Sequence, residues 1–156
     1  MKTYKLFREK NKKLYPLFVL TNKEIPIGEE MKAEIGPLKD EGHVKSKLGA
    51  LALRPGFHSC EIPFTDWIGE RASDGSLLQR SDTVWCECEV TGKQIYTTER
   101  YGLKTIPNGW YYLKLNSKQK QPWIISDNIT VKRKLSHTEV KSICEANGIK
   151  AQRVKI

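Results

Sequence analysis

Seven consecutive residues, Arg54-Pro55-Gly56-Phe57-His58-Ser59-Cys60, carry a guanidinium, an imidazole, a hydroxyl and a thiol beside a Pro-Gly bend. Downstream, Thr83-Val84-Trp85-Cys86-Glu87-Cys88-Glu89-Val90 alternates strictly. Side chains on a strand point to alternate faces. Val84, Cys86, Cys88 and Val90 therefore share one face, and Trp85, Glu87 and Glu89 the other. If the loop folds back on the second face, Arg54 and His58 meet Glu87 and Glu89. That would be a catalytic arrangement of cations opposite carboxylates.

Two other chemistries compete for the same residues. His58-x-Cys60 and Cys86-x-Cys88 offer four ligands of the kind a structural zinc accepts. The i, i+2 spacing is not that of a Cys-x-x-Cys knuckle, and Cys86 and Cys88 share their face with two valines, as small core residues do. No metal is expected. Cys60 as a nucleophile would need a base brought to it in space. Cys144 falls on the apolar stripe of a helix and reads as core. There is no Gly-x-Gly-x-x-Gly or Walker loop, which disfavours conventional dinucleotide and P-loop sites.

A second candidate surface is basic. The formal net charge is +9 and the sequence pI about 9.4, a balance that favours polyanionic partners through phosphate contacts. In Trp110-Tyr111-Tyr112-Leu113-Lys114-Leu115, alternation groups Tyr111, Leu113 and Leu115 on one face and Trp110, Tyr112 and Lys114 on the other. With Trp123 and the cations Lys118, Lys120, Lys132, Arg133 and Lys134, the second set predicts a stacking platform for nucleic acid.

The elements that position these residues follow from pattern and punctuation. Met1–Lys13 is lysine-rich and reads as a flexible basic arm. Leu14–Leu20 reads as a buried strand, Thr21–Gly28 as a loop, and Glu29–Ile35 as a short helix or an edge strand ended by Gly36-Pro37. Lys39–Lys47 is polar, with His43 expected at the surface, and Leu48–Leu53 is apolar. Glu70–Asp82 reads as a surface loop, with a lid as its functional alternative. Hairpins are predicted for Thr83–Val90 with Gln94–Thr98, and for Trp123–Ile125 with Ile129–Val131. Ser136-His137-Thr138-Glu139 is a capping box, with Leu135 and Val140 as staple, Val140, Ile143 and Cys144 as stripe and Gly148 as stop.

The predicted whole is one α+β domain over residues 1–156, with a mainly antiparallel sheet, short helices and a capped C-terminal helix. No apolar run is long enough to span a bilayer, and no apolar segment follows the basic N-terminus. A cytoplasmic protein with free thiols is expected.

Two resemblances add to this. Leu51-Ala52-Leu53-Arg54 and Trp85-Cys86-Glu87-Cys88-Glu89 resemble the Arg-bearing and Glu-bearing strands of ADP-ribosyltransferases. The interval between them is shorter than is usual there, and no Ser-Thr-Ser strand intervenes. The resemblance implies an enzyme that uses NAD, with Arg54 and His58 orienting the substrate and Glu87 or Glu89 doing the electrostatic work. The second covers most of the chain. Tyr15-Pro16-Leu17-Phe18-Val19, Lys45-Ser46-Lys47-Leu48-Gly49, Arg54-Pro55-Gly56-Phe57-His58 and Trp123-Ile124-Ile125-Ser126 resemble uncharacterised proteins of phages and conjugative elements. That implies a mobile-element setting and no established activity.

The leading expectation is a small basic accessory protein that binds nucleic acid or a nucleotide-like ligand without a resident cofactor. The alternatives are the NAD-dependent enzyme and an inhibitor that binds a host protein. The first expects affinity to collapse when Lys132, Arg133 and Lys134 are neutralised.

Overall fold

The computed structural model describes the backbone of residues 1–18, 21–35, 38–39, 43–46, 49–52 and 54–155, and the side chains of those outside 36–53. The N-terminal residues do not form an arm. They make β1 (Lys2–Lys10), which sits inside a five-stranded antiparallel sheet with β2 (Lys13–Tyr15), β10 (Thr83–Glu89), β13 (Asn128–Lys134) and β3 (Glu30–Lys32), in the order β2-β1-β10-β13-β3. The correction has a simple cause. Between its lysines the segment alternates apolar residues, so Tyr4 and Leu6 bury on one face while Thr3 and Phe7 bury on the other. Leu6 pairs with Trp85 and Phe7 with Val84, across the strand read from sequence as carrying the site.

The residues 38–39, 43–46 and 49–52 form β4 (Leu38–Lys39), β5 (His43–Ser46) and β6 (Gly49–Ala52), an antiparallel sheet in chain order. The expectations for Val19, Leu20, Gly36, Pro37, Leu48, Leu53 and the side chain of His43 lie outside the described residues. Next, β7 (Phe57–Ser59) lies within the presumed loop. It pairs with β12 (Trp123–Ser126), which pairs with β11 (Trp110–Leu113). The pair Tyr4–Cys60 joins this sheet to β1 through two backbone bonds of 2.7 and 2.8 Å.

Three local expectations are corrected. Thr83–Val90 does not pair with Gln94–Thr98; β10 lies between β1 and β13, from opposite ends of the chain. Gln94 makes only an isolated bridge to Trp110. The segments around Ser126-Asp127-Asn128 are not a hairpin either, because β12 and β13 enter different sheets and Asp127 marks the corner between them. Glu70–Asp82 contains a small ribbon, β8 (Glu70–Arg71) with β9 (Leu77–Leu78). Within Glu29–Ile35, left open between helix and strand, Glu30–Lys32 forms the edge strand β3.

The two faces of the main sheet bury different cores. Tyr4, Leu6, Trp85, Tyr111, Trp123 and Ile125 meet the helix residues Val140 and Cys144 on one side. Phe7, Leu14, Cys86, Cys88, Ile129 and Val131 pack on the other. Cys86 and Cys88 are thus core residues, as their alternation predicts. The helix α1 (His137–Ala146) starts at the capping box: Ser136 Oγ accepts from the Glu139 amide at 3.2 Å, and the Ser136 amide donates to Glu139 Oε2 at 2.8 Å. The fold is therefore β-rich and mainly antiparallel, with one helix among the described residues. None there is long and apolar enough to cross a membrane.

Candidate functional site

The Arg54–Cys60 segment reaches a cavity of about 440 Å3, a size ordinary for small-ligand sites. Its walls include Lys5, Arg54, His58, Trp67, Trp85 and Trp123. Lys5 comes from β1, Trp85 from β10, His58 from β7 and Trp123 from β12, so the junction of the two sheets builds the site. The Lys5 ammonium donates to the His58 carbonyl at 2.7 Å and lies 5.7 Å from the centre of the Phe7 ring. Burial holds its pKa below the ordinary lysine value. Among the described residues, no carboxylate lies within 4.0 Å of Lys5 or Arg54.

Arg54 is half-buried, and its Nε is buried without a hydrogen-bond partner. Burial pulls its pKa down, and the Tyr111 hydroxyl nearby works in the opposite direction. Its stem packs beside Gly102, next to which the Leu103 amide donates to Tyr111 Oη at 3.0 Å. His58 stands edge-on to Trp123, with ring centres 5.5 Å apart. Its pKa falls to about 3, first through burial and then through the charges of Lys5 and Arg54, so the imidazole is neutral at pH 7. Its Nδ1 lies 3.2 Å from the Gly56 carbonyl. A proton there leaves Nε2 as an acceptor.

The two predicted carboxylates are elsewhere; among the described residues, the carboxylate that lines the cavity is Glu34, paired with Lys23 at 2.7 Å. Glu87 pairs with Lys2 and Arg133, each at 3.7 Å, and Glu89 with Lys132 at 3.3 Å; neither lines the cavity. Arg54 and His58 thus share a site with Trp85, while Glu87 and Glu89 face cations of β1 and β13. A bulge explains part of this. Glu87 pairs with Arg133 but Cys88 with Val131, leaving Lys132 as the extra residue. Such an insertion puts two residues opposite one and re-aims the side chain.

The predicted nucleic-acid set also divides. Trp110 and Tyr112 share one face of β11, ring centres 5.2 Å apart; Tyr112 and Lys114 are exposed, whereas Trp110 is half-buried and packs against the second core. Tyr112 is 39% exposed, yet its hydroxyl is bonded to Glu61, which pushes its pKa up to about 12. Lys132, Arg133 and Lys134 belong to the other sheet. Beyond the pairs already given, Arg133 binds Glu139 at 2.7 Å, and Lys134 binds Glu9 at 2.7 Å. Each of the three cations is matched to a carboxylate.

The four cysteines are free and buried. Burial raises the thiols of Cys60, Cys86 and Cys88 to about 12 and that of Cys144 to about 11. They are protonated at neutral pH, the unreactive form. Cys60 belongs to one core cluster and Cys86 with Cys88 to the other, and among the described residues no group of three His, Cys, Asp or Glu side chains is placed to hold a metal.

Lys5 was absent from the sequence-level set, although it completes the cationic wall. The signal was present: a lysine flanked by Tyr4 and Leu6 in an alternating segment. No family model, curated protein or solved structure matches this chain.

Proposed function

We propose that this chain is a binding module for a nucleotide-like, phosphate-bearing ligand, held in the cavity at the junction of the two sheets. Arg54 carries the proposal. A half-buried guanidinium with an orphaned Nε costs the free protein stability, since unpartnered buried donors forfeit their hydration. A ligand phosphate supplies both the missing acceptor and the missing negative charge. Lys5 adds a second cation, and neutral His58 offers a hydrogen-bonding edge. The indoles of Trp67, Trp85 and Trp123 provide apolar surface for a base. A basic accessory protein of a mobile element is the setting in which we place this role.

Binding is preferred to the ADP-ribosyltransferase-like reading because a reaction at the cavity would need Glu87 or Glu89 there. Both are engaged by Lys2, Lys132 and Arg133 instead. A thermal-shift series with mononucleotides and NAD tests the proposal. A ligand at 100 times its dissociation constant adds about 2.7 kcal/mol. The wild type should show the shift, Arg54→Met should lose about half of it or more, and Glu87→Gln should keep it. Silence from every nucleotide, or a full shift in Arg54→Met, would refute the proposal.

A further inference from the structure

A second concavity, about 780 Å3, lies between the β8–β9 ribbon, the 116–120 turn and the 150–153 segment. Five cations line it, Arg71, Lys118, Lys120, Lys150 and Arg153, against the two carboxylates Asp66 and Asp74. Both acids already serve the protein. Asp74 accepts from the Ser76 amide and hydroxyl at 2.9 and 2.6 Å and lies 3.6 Å from Arg153, while Asp66 accepts from the Lys120 amide at 2.7 Å. Among the described residues, Arg71, Lys118, Lys120 and Lys150 have no carboxylate within 4.0 Å. None of the four is spent on an ion pair there, unlike the cations of β13, although Arg71 donates to the Gly75 carbonyl at 3.1 Å and the Lys120 ammonium lies 5.5 Å from the centre of the Phe64 ring.

The groove is also built rather than incidental. Buried Gln119 ties its turn together, accepting from the Leu115 amide at 2.8 Å and donating to the Gln121 carbonyl at 2.7 Å. The C-terminal segment is fastened to β9 and its flank by Gln79 amide to Arg153 carbonyl at 2.8 Å and Lys155 amide to Gln79 carbonyl at 2.7 Å. Two observations point to a ligand with both charge and rings. Trp67 lines the groove and is 48% exposed. Gln152, only 9% exposed, also lines it; its amide nitrogen is spent on the Thr65 carbonyl at 3.0 Å, and its Oε1 is buried with no partner.

We propose that this groove binds single-stranded nucleic acid, its phosphates along the four unpaired cations and a base stacked on Trp67. The Gln152 oxygen is an acceptor for an exocyclic amine of a base. A single strand fits better than a duplex because Trp67 needs an accessible base face, which duplex stacking hides. Trp67 also lines the nucleotide cavity and is the one lining residue the two sites share, so they adjoin. The groove proposal shares Trp67 with the cavity reading but rests on its own cations and on Gln152.

The test is fluorescence anisotropy of short labelled DNA and RNA single strands across a salt series. Four engaged cations predict a log–log salt slope of about −3 for single strands. Lys118→Gln/Lys120→Gln/Lys150→Gln should weaken binding at least tenfold and flatten the slope by about 2. Trp67→Ala should cost roughly tenfold through lost stacking, and Lys132→Gln should change nothing. The triple variant should keep its mononucleotide thermal shift, which reads the cavity alone. The proposal is overturned by any of three results: unchanged affinity and slope in the triple variant, equal competition by poly-glutamate, or tighter binding of a duplex. Preference for RNA or DNA among the single strands identifies which form of the ligand the groove takes.

Discussion

The Nε of Arg54 is buried without an acceptor, and no carboxylate stands within ion-pairing distance among the described residues. A residue kept for stability would have one or the other. Arg54→Met should therefore melt at or above the wild-type temperature while losing roughly 10- to 100-fold in nucleotide affinity, the worth of a charged hydrogen bond of about 1.5–3 kcal/mol. A variant that is both unstable and fully competent to bind would contradict this. His58 makes a pH prediction. Its folded pKa of about 3 lies below the ordinary 6.5, so the unfolded chain takes up a proton that the folded chain refuses. The stability from its neutral state is fully present above pH 6.5 and is lost as pH falls toward 3. For one proton the slope approaches about 1.4 kcal/mol per pH unit. Urea midpoints between pH 6.5 and 5 should fall in the wild type and flatten in His58→Gln.

At the scale of elements, the segment that includes Gly102 holds Arg54 in place. Gly102 has φ +91°, and a Cβ there would lie 3.1 Å from Tyr111 Oη and 3.3 Å from Arg54 Cγ. Gly75 has a comparable φ of +82° but open space around it. Both Gly→Ala changes should cost about 1–3 kcal/mol in backbone strain. Only Gly102→Ala should also weaken nucleotide binding, as titration of the two variants would show. The helix cap is a separate matter. Removing the Ser136 hydroxyl should lower chemical stability by about 1 kcal/mol with no effect on binding, since α1 packs on the core through Val140 and Cys144 and does not line the cavity. Equal loss of binding in Ser136→Ala would show that the helix supports the site.

For the molecule as a whole, β1 is the strand on which both cores depend. It supplies Tyr4 and Leu6 to one cluster and Phe7 to the other, pairs with β10 along seven residues, and ties in Cys60. Deleting residues 1–10 would strip buried apolar surface from both faces and expose the edge of β10. The truncated chain should show no cooperative thermal transition by circular dichroism. A cooperative melt close to wild type would mean that the segment is the dispensable arm its lysines suggested. The charge is likewise a property of the whole surface. Its cations are partly consumed by ion pairs on β1, β10 and β13, and partly left free around one groove.

What the chain determined locally was legible without coordinates. The capping box, the alternation of β10 and the burial of Tyr111 and Leu113 beside exposed Lys114 all follow from side-chain periods of two or about 3.6 within one segment. Strand partners were not legible, because pairing energy comes from residues far apart in sequence. Thus β10 took its neighbours from both ends of the chain rather than from the next plausible strand. The site divided along the same line. Arg54 and His58 stood out by type and proximity and do share a cavity. Glu87 and Glu89 stood out as strongly but were claimed by Lys2, Lys132 and Arg133, cations that only the sheet order brings alongside. The 150–153 groove wall carried no motif, and although Lys5, Lys118 and Lys120 each carried a local signal, packing between distant segments alone decided what they face.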